Sequence, residues 1–314
     1  MLPGVRGWRQ VVTLVALAAG VTLLVWQVRA LGASEVRRGM ASVGIFGGLA
    51  VLGLSLARFY ARAIAWLALM TDTVALGRAV RAVIAGDAAS NLTPLSLLVG
   101  EPAKAAYLRA PSGTAAALTA LLAENFFFAV SVALYVVLGT LVMFWRFTVQ
   151  EDVRWAGLLA IGFMVLVLTG AVVLARWMKS HLSRRPPAVI AAEAIFHVLS
   201  FLEMWLSIWL VTGQSLPLEA LVLDAFGRVA NVLFKVVPLQ LGVLQVGSEL
   251  VAGAIGLGAG VGTTLSLVRT ARVLFWAVAG FGLLGTLSSR RGTGGTGPRS
   301  TERGSRGHGG AASP

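Results

Sequence analysis

Residues 85–110 read AGDAASNLTPLSLLVGEPAKAAYLRA, a stretch apolar enough for a membrane yet interrupted by Asn91, Pro94, Gly100 and Pro102, so that one unbroken helix cannot carry it. A second stretch, 220–258, has the same character, with Gly227, Asn231, Pro238 and Gly242 as its breaks. Around them lie uninterrupted apolar runs at about 11–31, 42–62, 117–144, 155–176, 188–213 and 263–287. Each is near the roughly 20 residues that a helix needs to cross a bilayer core. The fold class is therefore all-α: a polytopic helical membrane protein with about six full spans and two Pro/Gly-broken segments, re-entrant or discontinuous. One further piece, 63–84, carries Asp72, Arg78 and Arg81 and reads as an interfacial amphipathic helix, with a marginal span as the alternative.

Composition agrees. Of 314 residues 57% are hydrophobic and only 12% charged, with a mean hydropathy of +0.83, whereas a soluble domain carries about a quarter charged residues. The net charge of +13 is in good part flanking charge, because Arg290, Arg291, Arg299, Arg303 and Arg306 face only Glu302 in residues 288–314. No soluble face is expected to hold nucleic acid. The absence of Cys excludes disulfides, thiolate catalysis and Cys-ligated metals. His181, His197 and His308 are too scattered for a metal site. The match to G-x-G-x-x-G at Gly292, Gly294 and Gly297 has no strand before it and no helix after it, so no cofactor is expected.

Charge also orients the chain. Arg176, Lys179, Arg184 and Arg185 and the basic tail belong on the cytoplasmic side, while the loops at 214–219 and 258–262, which lack Lys and Arg, belong outside. The expected organisation is a cytoplasmic N-terminus (1–10), one transmembrane domain (11–287) and a disordered basic tail (288–314), with both termini cytoplasmic in a bacterial cell membrane. Arg29, Arg37 and Arg38 in the first loop run against this assignment. The break near Pro94 would then enter from the cytoplasm and the one near Pro238 from outside, the arrangement of an inverted repeat. Trp8, Trp66, Trp145, Trp155 and Trp177 near span ends fit interfacial anchoring.

The two breaks echo each other. Ala89-Ser90-Asn91 leads to Pro94-Leu95-Ser96-Leu97, and Val229-Ala230-Asn231 leads to Pro238-Leu239-Gln240-Leu241. Non-helical backbone at membrane depth is tolerated only against protein or a watery cavity, so paired breaks point to a transporter's binding site.

With Asn91, Pro94, Gly100-Glu101, Lys104 and Tyr107-Leu108 in order, the first break resembles the Asn…Pro…Gly-Glu…Arg stretch of the lysylphosphatidylglycerol synthase transmembrane region, a flippase-like family. The resemblance extends over roughly residues 10–287. Glu124-Asn125 falls where the family often has Glu-Arg, Pro238, Gly242 and Gln245 resemble its Pro-Gly segment ending in Glu, and Arg269 sits where its last helix carries Arg. Lys104, Asn125 and Gln245 depart from the family's Arg, Arg and Glu. The resemblance implies a membrane region that accommodates lipids or moves them between leaflets, without the fused aminoacyl transferase.

A charge at mid-bilayer costs on the order of 2.5–3.5 kcal/mol on insertion scales, so deep ionisable residues need partners or a cavity. Glu124 and Glu203 are the deep acids, and Arg269 and Arg272 on the last span are their expected counter-charges. Asp224 and Arg228 read as a local helix pair. Glu193 and His197 share a face, with a structural or a proton-relay role. The expected headgroup path comprises Asn91, Pro94, Gly100, Glu101, Lys104, Glu124, Lys235, Pro238, Gly242, Gln245, Arg269 and Arg272. The chain reads as a lipid transporter for an anionic lipid or related amphiphile. The alternatives are a non-catalytic partner of a separate lipid-modifying or cell-envelope enzyme, and an intramembrane enzyme, for which no catalytic motif is found.

Overall fold

A computed structural model describes residues 29, 33–92, 96–108, 110–177, 186–233, 242–258 and 260–292. Among them are nine helices: α1 (Ala33–Leu69), α2 (Leu76–Leu92), α3 (Ser96–Leu108), α4 (Thr114–Arg146), α5 (Glu151–Trp177), α6 (Pro186–Thr212), α7 (Pro217–Leu233), α8 (Val243–Ala254) and α9 (Val261–Gly292). No strand is found among the described residues.

Local sequence sets the ends of these helices. Pro186 and Pro217 open α6 and α7 where a missing N–H costs nothing. Helix α5 begins on Glu151 and Asp152 and has Arg176 in its last turn, which complements its dipole. Glu249 ties α8 to the start of α9: Gly260 N–H donates to its Oε1 at 2.6 Å and Thr263 N–H to its Oε2 at 2.8 Å. The Gly-rich approach to α9 permits that closeness, since Gly262 lies against the Ser248 and Glu249 backbone.

Five helices are long and apolar enough to cross a membrane: Ala41–Leu69, Thr114–Arg146, Glu151–Val173, Pro186–Thr212 and Val261–Leu283. These correspond to the last five of the six expected spans, and the expected first span at 11–31 lies outside the described residues. The surface is inverted relative to a soluble protein. Phe46, Trp145, Leu159, Leu166, Val173 and Val278 are each more than 60% exposed, while Glu124, Glu193, Glu203 and Arg228 are buried. Such contiguous apolar exposure is what a lipid-facing surface requires. The chain is thus a multi-pass helical membrane protein.

Both broken segments are pairs of short helices. Residues 85–110 fall on α2 and α3, and 220–258 on α7 and α8. Pro94, Lys235 and Pro238 lie outside the described residues. Helices α2 and α3 cross closely at glycines: a Cβ on Gly86 would meet the Lys104 side chain, and one on Gly100 would meet Ser90 Oγ.

Two expectations are corrected. Residues 63–84 are not one interfacial helix; 63–69 complete α1, a turn around Asp72 follows, and α2 begins at Leu76. Ala79, Val80, Ala82, Val83 and Ile84 are buried, so α2 packs into the core rather than lying on its surface. Trp66 is no interfacial anchor either. It is fully buried and its Nε1–H donates to Ala117 O at 3.1 Å, whereas Trp145 and Trp155 are exposed as expected. Both errors come from ending the second span at 62, seven residues before α1 stops.

The core has two main apolar ends. One gathers Trp66, Ile84, Leu108 and Leu121 from α1, α2, α3 and α4. The other gathers Ile208, Leu223, Val251 and Leu265 from α6, α7, α8 and α9.

Candidate functional site

On α1 and α9 the central charges sit deep. At about 1.5 Å per residue, Arg58 is on the order of 17 Å from the Leu69 end of its span and Arg269 about 12 Å from the Val261 end. They face a cavity of about 300 Å³, at the lower end of the size of small-molecule sites. Every described helix except α5 contributes to its wall. Six cations line it, Arg58, Arg62, Lys104, Arg228, Arg269 and Arg272, against two lining acids, Asp87 and Glu101. A smaller compartment of about 30 Å³ adjoins it and shares Arg58, Arg228, Asn231, Arg269 and Arg272.

The pairing is uneven. At the end formed by α1, α3 and α4, Arg62 Nη2 donates to Glu124 Oε2 at 2.9 Å, with its Nε 2.5 Å from Oε1, and Lys104 Nζ donates to Glu101 Oε1 at 2.8 Å. The Arg62 guanidinium carbon also lies over the Phe128 ring, 3.8 Å from its centroid. At the end formed by α1, α6, α7 and α9, Glu203 serves two arginines: Arg58 Nη1 donates to its Oε2 at 2.8 Å, and Arg272 Nη1 to its Oε1. Arg228 meets Asp224 at 3.3 Å, and Ser200 Oγ donates to the other Asp224 oxygen at 3.0 Å.

Arg269 has no carboxylate within ion-pair distance among the described residues. Its Nη2 donates to the Gly227 carbonyl at 3.4 Å, and a Cβ on Gly227 would occupy the place of its Nη1. A glycine is needed there for the guanidinium to pass. Four arginines therefore answer to two carboxylates at this end, and an anion is the natural complement.

Residues 13–282 match the family model described as Lysylphosphatidylglycerol synthase TM region. The chain belongs to that family. No curated protein and no solved structure matches it.

The residues of the expected headgroup path fall into three groups. Asn91, Glu101, Lys104, Arg269 and Arg272 line the cavity, with Asn91 Nδ2 donating to Asp87 Oδ2 at 3.0 Å. Glu124, Gly100, Gly242 and Gln245 stand behind the wall. Glu124 holds Arg62, Gly100 permits the α2–α3 crossing, and buried Gln245 accepts from Gly242 N–H at 2.6 Å while donating to Thr270 Oγ1 at 3.2 Å, which ties α8 to α9. Pro94, Lys235 and Pro238 lie outside the described residues.

The expected counter-charges are half right. Arg272 meets Glu203, but Glu124 is held by Arg62 rather than by the last helix. Arg58 and Arg62 were missed, although their spacing of four inside an apolar run was the available signal. Asp224 and Arg228 form the expected local pair and also face the smaller compartment. Among the described residues no group of three His, Asp or Glu could hold a metal.

Proposed function

We propose that this family member is a flippase-like lipid transporter that seats the phosphate of an anionic lipid, or a related amphiphile, against the arginine-rich end of the central cavity. The observation that carries the reading is the uneven pairing: Arg58 and Arg272 share Glu203, and Arg269 has only a backbone carbonyl. Cationic side chains left this way inside a membrane protein mark a ligand path by default. The apolar residues on the same wall, Phe59, Val132, Phe196, Leu244 and Trp276, suit an acyl chain entering beside the headgroup. On this reading the protein works in the cell membrane with cytoplasmic termini and carries out no covalent chemistry.

The test is purified protein in liposomes carrying fluorescent anionic phospholipid, with dithionite quenching of the outer leaflet. Quenching beyond half the label, lost in Arg269→Ala while the variant stays folded, is the expected result. No excess quenching, together with co-purification of one stoichiometric lipid-modifying enzyme, would favour a membrane partner instead.

A further inference from the structure

Behind the aromatic wall of the cavity lies a titratable pair that headgroup binding does not use. Glu193 and His197 are buried one turn apart on α6, neighbours on one helix face. Neither Glu193 oxygen has a hydrogen-bond partner among the described residues, and neither has His197 Nδ1. The other ring nitrogen is spoken for: His197 Nε2 lies 3.0 Å from Ser131 Oγ, whose hydroxyl donates to Phe128 O at 2.9 Å. Ser131 thus links the His197 ring to the α4 backbone. The imidazole is clamped in place by stacking on Tyr135, 4.8 Å between centroids.

A buried carboxyl group with no ion-pair partner among the described residues is a place for a proton. Its surroundings give that proton a consequence. Glu193 feels Arg62 from α1, Glu124 from α4 and Arg228 from α7, and His197 feels Arg58, Arg62, Asp224 and Arg228. On α9, Arg272 is committed to Glu203, ten positions along α6. Arg62 lines the cavity and lies in the field of three carboxylates, Glu124, Glu193 and Glu101.

We propose that Glu193, with His197, is a proton-binding site whose loading sets the charge Arg62 presents to the cavity, so that an anionic headgroup and a proton bind together. The step is a simple protonation: the Glu193 carboxylate takes a proton from the aqueous side and becomes a neutral acid, with no other bond made or broken. With the proton on, Arg62 answers to its ion-pair partner Glu124 and to the field of Glu101. With it off, the Glu193 charge adds to theirs and the cavity wall is less favourable to an anion. The proposal rests on the headgroup reading and supplies what that reading lacks, a means of coupling lipid movement to a proton gradient.

The test titrates short-chain phosphatidylglycerol calorimetrically into the full chain in neutral detergent, from about pH 5 to pH 8, the window in which side-chain imidazoles ordinarily titrate. Wild-type affinity should fall with rising pH, approaching about tenfold per pH unit, the linkage limit for one proton. Glu193→Gln should keep the low-pH affinity throughout, and Glu193→Asp should restore the slope. A flat wild-type profile, or an unchanged slope in Glu193→Gln, would overturn the coupling and leave the headgroup site standing. If the lipid binds at no pH, the headgroup reading fails. Infrared difference spectra between acid and alkaline samples then address the proton site alone: a carboxyl C=O band lost in Glu193→Gln is expected, and its absence in the wild type would overturn the site itself.

Discussion

The two ends of the cavity are built from the same materials and reach different balances. At the α1–α3–α4 end, Arg62 and Lys104 each have their own carboxylate, Glu124 and Glu101. At the α6–α7–α9 end, Glu203 is divided between two arginines and Arg269 has no carboxylate partner among the described residues. A buried pair that is complete holds helices in register and offers an external anion little to bind directly, acting on it only through the field in the cavity. An incomplete set leaves cationic capacity that a ligand can satisfy. Similar charge density thus yields a brace at one end and a candidate binding surface at the other.

Removing the shared acid should break this contrast most severely. Glu203→Ala strands Arg58 and Arg272 together, and a loss near the upper end of the 3–5 kcal/mol range for broken buried pairs is expected, about 5 kcal/mol, read as thermal unfolding in detergent. Glu124→Ala strands one arginine that keeps its stacking on Phe128, so a loss of about 3 kcal/mol is expected. Equal losses would mean that Glu203 is not truly shared. Arg269→Gln should cost little stability but slow lipid movement at least about tenfold, roughly 1.4 kcal/mol of differential interaction. Gly227→Ala should mimic it more weakly, because the added Cβ displaces the Arg269 guanidinium without removing its charge; normal transport in this variant would show that the position of Arg269 does not matter.

The smallest effect lies outside both ends. Asp72, in the turn between α1 and α2, accepts hydrogen bonds from the Ser112 hydroxyl and, at 3.0 Å, from the Ser112 N–H, which hold its carboxyl below the ordinary value of 3.8. A depressed carboxylate stabilises the fold above that ordinary value, and the benefit disappears as acidification carries the pH through the lower, folded value. Melting temperatures of wild type and Asp72→Asn should therefore differ slightly at neutral pH and converge below pH 3.8, with lipid movement unchanged.

The spans were legible because the bilayer imposes a length and a polarity on each helix, and the breaks were legible because Pro and Gly interrupt them. Helix partners were not. Arg58 meets Glu203 across 145 positions and Arg62 meets Glu124 across 62, and an apolar run shows that a helix is buried in lipid or protein without showing which neighbour it faces. Misplacing the end of α1 by about two turns also set both arginines at a membrane surface, where cations need no partner, and so concealed them. The family resemblance located Arg269 and Glu124 but assigned them no geometry, and Glu124 proved to belong to the brace.

The most direct measurement is a cryo-electron microscopy structure of the protein in nanodiscs containing anionic phospholipid. Headgroup density within hydrogen-bond distance of Arg269 and beside the Arg58–Arg272 pair, with an acyl chain along Phe59 and Trp276, is the expected result. A cavity holding only water, or a lipid phosphate bound at the Lys104–Glu101 end instead, would contradict the assignment of the unbalanced end as the binding surface.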